Sequence, residues 1–153
     1  MEIIEFFRPD EPWGCFSNFS PHPIKLKGKV WPTTEHYFQA QKFSGTIYEE
    51  NVRLLASPME AKVAGNNREL PIRADWESVK NDIMREAVYA KFSQYEELKI
   101  ILLNTGEAQL VERTNHDSYW GDGINRKGKN MLGIILVETR TKLKNSLNET
   151  SSH

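Results

Sequence analysis

A chain of 153 residues is long enough to enclose one hydrophobic core and too short for two ordinary domains. With 39% hydrophobic and 27% charged residues it is not a disordered chain, and a formal net charge of −1 supplies no basic field for coating phosphate backbones. One cysteine, Cys15, excludes an internal disulfide and suits a reducing compartment. With no secretory leader or membrane span legible, a cytoplasmic location is expected.

In chain order, "EIIEFF" reads as a strand, "RPDEPWGCFSNFSPHP" as a long irregular loop, and "IKLKGKVW" as a hairpin turning at Gly28. In "WPTTEHYFQAQKF" the start signals are Thr33 as cap and Glu35 in the first turn. "TIYEENVRLLA" predicts a second helix. "SPMEAKVAG" predicts a third, with Ser57 as cap, Pro58 at the first position and Gly65 as stop. "DWESVKNDIMREAVYAKF" carries an apolar stripe of Trp76, Val79, Ile83, Ala87 and Ala90 behind Asp75 as cap. "YEELKIILLNTG" follows as a helix, "AQLVER" as a strand, and "MLGIILVETRTKLKN" as the last helix. The expected architecture is α+β: one mostly helical domain over 1–145, with a small antiparallel sheet from the N-terminal segment and the region near 108–113. Residues 146–153 are expected to form a disordered tail.

Three stretches carry residues suited to chemistry. In the first helix Glu35, Gln39 and Lys42 fall on one face at about 100° per residue, so a carboxylate, an amide and an amine stand in a row. That row is either the wet side of a surface helix or the wall of a pocket. In "WGCFSNFSPHP", Phe16 either buries the loop or lines a cleft, and the amide of Asn18 needs partners from the backbone or from a ligand. In "YWGDGINRKGKN", glycines 121, 123 and 128 permit close backbone approach, and Arg126, Lys127 and Lys129 add charge. "GINRKGKN" nearly spells a triphosphatase phosphate loop. It lacks the magnesium-binding hydroxyl, which Asn130 replaces, and a preceding buried strand, so that reading is rejected. A looser anion cradle at the start of the last helix stays open beside a plain surface turn. The four histidines, 22, 36, 116 and 153, show no metal-ligand spacing, and no metal site is expected.

Taken together, "FSNF", "WPTTEHYFQAQKF", "YWGDG", "GKN" and the helix that follows resemble the NADAR (YbiA-like) family from Ile4 to about Leu143. The resemblance implies a metal-independent N-glycosidase without cofactor that cleaves the bond between ribose and an amino group. Its implied substrates are phosphoribosylamino-pyrimidine intermediates of riboflavin synthesis, or ADP-ribose on the guanine amino group, free or within nucleic acid. From the residues themselves, no membrane association and no obligate protein partner are expected. Glu35 and Lys42 match the family's proposed catalytic positions, and Asn18, Trp120, Gly121, Asp122 and Asn130 match positions expected to line its cleft.

We therefore expect Glu35, Lys42 and Asp122 to act in catalysis. Phe16, Asn18, Gln39, Trp120, Gly121, Gly123, Lys129 and Asn130 are expected to contact substrate. Lys42, kept neutral by burial or a nearby cation, would form a Schiff base with the opened sugar, and Glu35, raised by an apolar surround, would act as acid and then base. The glycine loop with Lys129 and Asn130 would take the phosphate end. Water activated by Glu35 is the rival mechanism, and a non-cutting ADP-ribose or nucleotide reader is the rival function.

Overall fold

The computed structural model describes residues 2–151. In chain order the elements are β1 (Ile3–Phe6), β2 (Ile24–Leu26), β3 (Lys29–Trp31), α1 (Thr34–Gln41), α2 (Ile47–Arg53), α3 (Pro58–Gly65), α4 (Trp76–Gln94), α5 (Glu96–Asn104), β4 (Gln109–Glu112) and α6 (Met131–Ser151). The α+β, mostly helical class expected from the sequence is observed. The chain forms two compact units, Asn18–Ala90 and Met1–Ser17 with Lys91–His153. Among the described residues no helix is long and apolar enough to cross a membrane.

In the unit Asn18–Ala90, β2 and β3 make the expected hairpin, antiparallel with Ile24 opposite Trp31. Its two-residue turn needs positive φ at both positions. Lys27 (55°) and Gly28 (71°) supply it, and their twist matches that of the flanking strands. Helix α1 starts where Thr33 accepts from the His36 amide, and it packs against α2 and α3. All eight of its residues are buried. Trp31, Tyr37, Ala40, Phe43, Val52, Ala61 and Ala87 form the core beneath it. Helix α3 has the full capping box, with Ser57 and Glu60 each bonding the other's backbone and Pro58 in the first turn.

In the other unit, β1 does pair with the region near 108–113, but the strands run parallel, Ile3 opposite Gln109 and Phe6 opposite Glu112. The antiparallel expectation is corrected here. Five helices intervene between these strands, and so long a crossover delivers a parallel partner as readily as an antiparallel one. Helix α6 packs on β4 and α5, and the Arg140 guanidinium bonds Thr105 Oγ1 and the Ala108 carbonyl at 2.8 and 2.9 Å. Of the tail expected to be disordered over 146–153, the part through Ser151 is helical, and 152–153 lie outside the described residues. No proline or glycine interrupts "SLNETS", so the helix propagates.

Candidate functional site

The sequence-predicted residues fall into two groups, each within its own unit. The first is built on α1. Glu35, Gln39 and Lys42 are 7%, 5% and 8% exposed, so the row is not the wet side of a surface helix. Gln39 Nε2 donates to Glu35 Oε1 over 2.8 Å, the i, i+4 contact that helical geometry provides. Lys42 is the first residue past α1 and keeps a right-handed helical backbone. Its carbonyl accepts from the Arg73 amide at 2.8 Å, and its Nζ donates to the Gly65 carbonyl at 3.0 Å and to Asn66 Oδ1 at 3.5 Å. The amine lies 5.8 Å from the Trp76 ring centroid. Burial pushes the Lys42 amine below its ordinary value, while the charges of Glu35 and Glu77 pull it back up.

Asn18 holds the start of this helix. Its backbone carbonyl accepts from the Glu35 amide at 3.1 Å, satisfying a donor that the first turn of a helix leaves open. Thr34 Oγ1 donates to Asn18 Oδ1 at 2.8 Å, and Asn18 Nδ2 faces Met84 Sδ at 3.5 Å. The partners left open in the sequence are therefore protein groups. Buried beside them, His36 engages Thr33 Oγ1 and the Leu55 carbonyl, and burial lowers its pKa. It packs inside.

The second group is the loop between β4 and α6. Asp122 is buried, its Oδ1 accepting from Arg113 Nη1 at 2.8 Å and from the Thr114 amide at 3.0 Å. Trp120 is half-buried and meets Tyr119 edge-on with centroids 4.9 Å apart. Lys129 is exposed, its amine 5.3 Å from the Tyr119 centroid.

Several groups of this loop expected to meet substrate, and Phe16 outside it, have protein partners. The anion cradle is filled by the protein itself: the Met131 and Leu132 amides that open α6 donate to the Tyr119 and Trp120 carbonyls at 2.9 and 3.0 Å. Asn130 is spent on β4, where its Oδ1 accepts from the Glu112 amide and its Nδ2 donates to the Leu110 carbonyl, both at 2.9 Å. The glycines admit close approach of neighbouring chain. A Cβ on Gly121 would lie 2.3 Å from Thr114 Cγ2, and one on Gly128 would lie 2.7 Å from the Gly121 carbonyl oxygen. Gly123 has φ +73° and serves the turn. Phe16 is 1% exposed and packs as a core residue, edge-on to Phe6, stacked on Trp13 and tilted against Phe92.

Sequence reasoning missed Gly65, Asn66 and Trp76 around the Lys42 amine, and Arg113 on Asp122. Gly65 was legible only as a helix stop, and the signal for its other role is a contact 26 positions away in the chain (Gln39). Among the described residues no three His, Cys, Asp or Glu stand together as a metal-ligand set.

Comparison with known proteins converges on the motifs that carry these side chains. The NADAR domain model matches residues 5–144. The chain is 54% identical over 141 residues to N-glycosidase YbiA of Shigella sonnei, covering 92% of this chain and 88% of that one. It is 41% identical over 157 residues to the riboflavin biosynthesis protein PYRR, chloroplastic, of Zea mays, covering 92% of this chain and 25% of that protein. The NMR structure of Escherichia coli YbiA superposes with a TM-score of 0.90 at 51% identity, covering 97% of this chain and 88% of the other. A family model spanning most of the chain, relatives aligned over nearly all of it and a matching solved fold leave one assignment: the chain belongs to the NADAR domain family.

Proposed function

We propose that this chain is an N-glycosidase that hydrolyses the bond between ribose C1 and an amino group, with Glu35 and Lys42 as its reacting residues. The observation that carries this reading is the burial of a carboxyl, an amide and an amine along one helix, each fixed by a hydrogen bond. A pair kept only for solubility would stand in water. The N-glycosidase name of the Shigella relative supports the bond class, and the riboflavin biosynthesis name of the maize relative supports a phosphoribosylamino-pyrimidine as one substrate. Guanine-linked ADP-ribose presents the same kind of C1–N bond and is the second candidate.

In a ribosylamine the nitrogen keeps a lone pair. Glu35 donates a proton to the ring oxygen as that lone pair forms C1=N and the C1–O bond opens. The neutral Lys42 amine adds to C1, and the original amine leaves with the proton that Lys42 gives up. The sugar is then held as a Schiff base on Lys42. Water assisted by the Glu35 carboxylate adds to that imine, releasing the free sugar and regenerating the lysine. The lowered pKa of Lys42 favours the neutral amine this route needs.

The test incubates the purified protein with each substrate and follows released ribose phosphate or ADP-ribose, with borohydride added during turnover. Cleavage with a reduced sugar on Lys42 is expected. Cleavage with no adduct and with Lys42→Ala still active would transfer the chemistry to a Glu35-activated water. Intact ligand recovered from a protein that it stabilises would instead identify a reader.

A further inference from the structure

Gly65 ends α3, yet its backbone does not need glycine. The left-handed glycines are 28, 45, 106 and 123, and Gly65 is not among them. Space is what it provides. A Cβ at this position would lie 1.9 Å from Gln39 Oε1, 2.6 Å from its Cδ and 2.9 Å from its Cβ. Turning the Gln39 side chain relieves the first two overlaps, but the third atom is fixed to α1 and moves with no rotamer. Any larger residue at 65 must therefore displace the end of α3 as well as Gln39.

The same residue meets the row a second time, because its carbonyl accepts from Lys42 Nζ at 3.0 Å. Gln39 completes the circuit. Its Nε2 holds Glu35 Oε1 at 2.8 Å, and its own Oε1 is buried with no hydrogen-bond partner among the described residues. A buried amide oxygen without a donor is a costly arrangement. Here the bare Cα of Gly65 lets that oxygen lie against it while the nitrogen faces the carboxyl group.

We propose that Gly65 is a positioning residue for the reaction: its missing side chain leaves Gln39 free to aim Glu35, and its carbonyl aims Lys42. One residue at the end of α3 thus sets the acid and the amine together. This rests on the reading of Glu35 and Lys42 as the reacting groups.

The experiment compares Gly65→Ala, Gln39→Ala and the double variant in two assays. One is sugar release. The other is the pH dependence of Lys42 acylation by acetic anhydride in the substrate-free protein, read by peptide mass. Gly65→Ala is expected to lower kcat by about 10- to 100-fold, because the reacting groups shift. The Lys42 acylation midpoint should move with it. In the Gln39→Ala background, where most of the overlap is gone, Gly65→Ala should cost less than about threefold more.

If Gly65→Ala fails to fold, recovery of a folded double variant supports the proposal, and failure of both overturns it. An unmoved Lys42 midpoint in folded Gly65→Ala overturns it, as does a full multiplicative penalty in the double variant. If the wild-type protein cleaves neither substrate while the Lys42 midpoint still moves in Gly65→Ala, the positioning role stands and the glycosidase reading falls.

Discussion

Glu35 and Gln39 are joined by a 2.8 Å hydrogen bond inside a helix that is buried along its whole length. The amide reaches one carboxyl oxygen, so the acid is held in one rotamer. Glu35→Gln keeps the shape and removes the transferable proton. It should lower kcat by about 10²- to 10⁴-fold. Its melting temperature should stay within a few degrees of wild type. Sugar-release kinetics and thermal denaturation on the same preparation check both halves. A variant with near-normal turnover would remove Glu35 from the chemistry.

Lys42 supplies a second test, because a Schiff base requires an amine that can lose its proton. Lys42→Arg keeps positive charge and length, but a guanidinium stays protonated. It should lose activity by about a thousandfold or more and give no borohydride adduct. In the wild type the neutral amine accumulates as pH rises through the depressed Lys42 titration. The rate of adduct formation should therefore climb with pH on that limb. A profile that falls there would place the amine outside the rate-determining chemistry.

Asn130 has a structural role that predicts a stability loss. Asn130→Ala leaves the Glu112 amide and the Leu110 carbonyl without their partner, at a cost of about 2–4 kcal/mol. The backbone adds to this, since φ at Asn130 is +51°, a region that asparagine tolerates better than alanine. Urea unfolding measures the change. A loss below about 0.5 kcal/mol would contradict the pairing.

Lys91 is fully enclosed, with its Nζ donating to the Ser17 carbonyl at 2.9 Å. Burial pushes its amine from the ordinary 10.5 down to about 7, against the pull of Cys15. Between those two values the unfolded chain binds the proton and the folded chain does not, so stability rises with pH across that window. Below about 7 the contribution is flat. Lys91→Met lacks it. The stability of wild type minus variant should therefore grow from neutral pH towards about pH 10, with a slope no steeper than about 1.4 kcal/mol per pH unit. Urea midpoints across this range decide it, and a difference that stays constant would show the amine to be ordinary.

The legible parts of this protein are those that short-range rules decide. Thr33, Ser57 and Pro58 mark helix starts because capping is settled within one turn, and Gly28 marks the hairpin because its turn demands positive φ. Spacing alone aligned Glu35, Gln39 and Lys42 but left their burial open, since a solvated stripe and a buried one share the same period. The direction of β4 was hidden because nothing local distinguishes parallel from antiparallel partners. The partners of the loop before α6 were hidden for a related reason. "GDGINRKGKN" has the composition of an anion cradle, and only the fold shows the Tyr119 and Trp120 carbonyls occupying its donors. Gly65 looked like a stop signal, while its contact with Gln39 lies beyond any local window.

The amide of Asn130 has a consequence for how this chain behaves in a crowded solution. A two-stranded ribbon exposes a rim of open ladder groups on which a neighbouring chain can dock and propagate. By occupying Leu110 and Glu112 together, one side chain imitates the next strand and ends the ladder there. The parallel ribbon is thereby blunted along β4, and strand-by-strand growth into aggregates is denied its template on that rim.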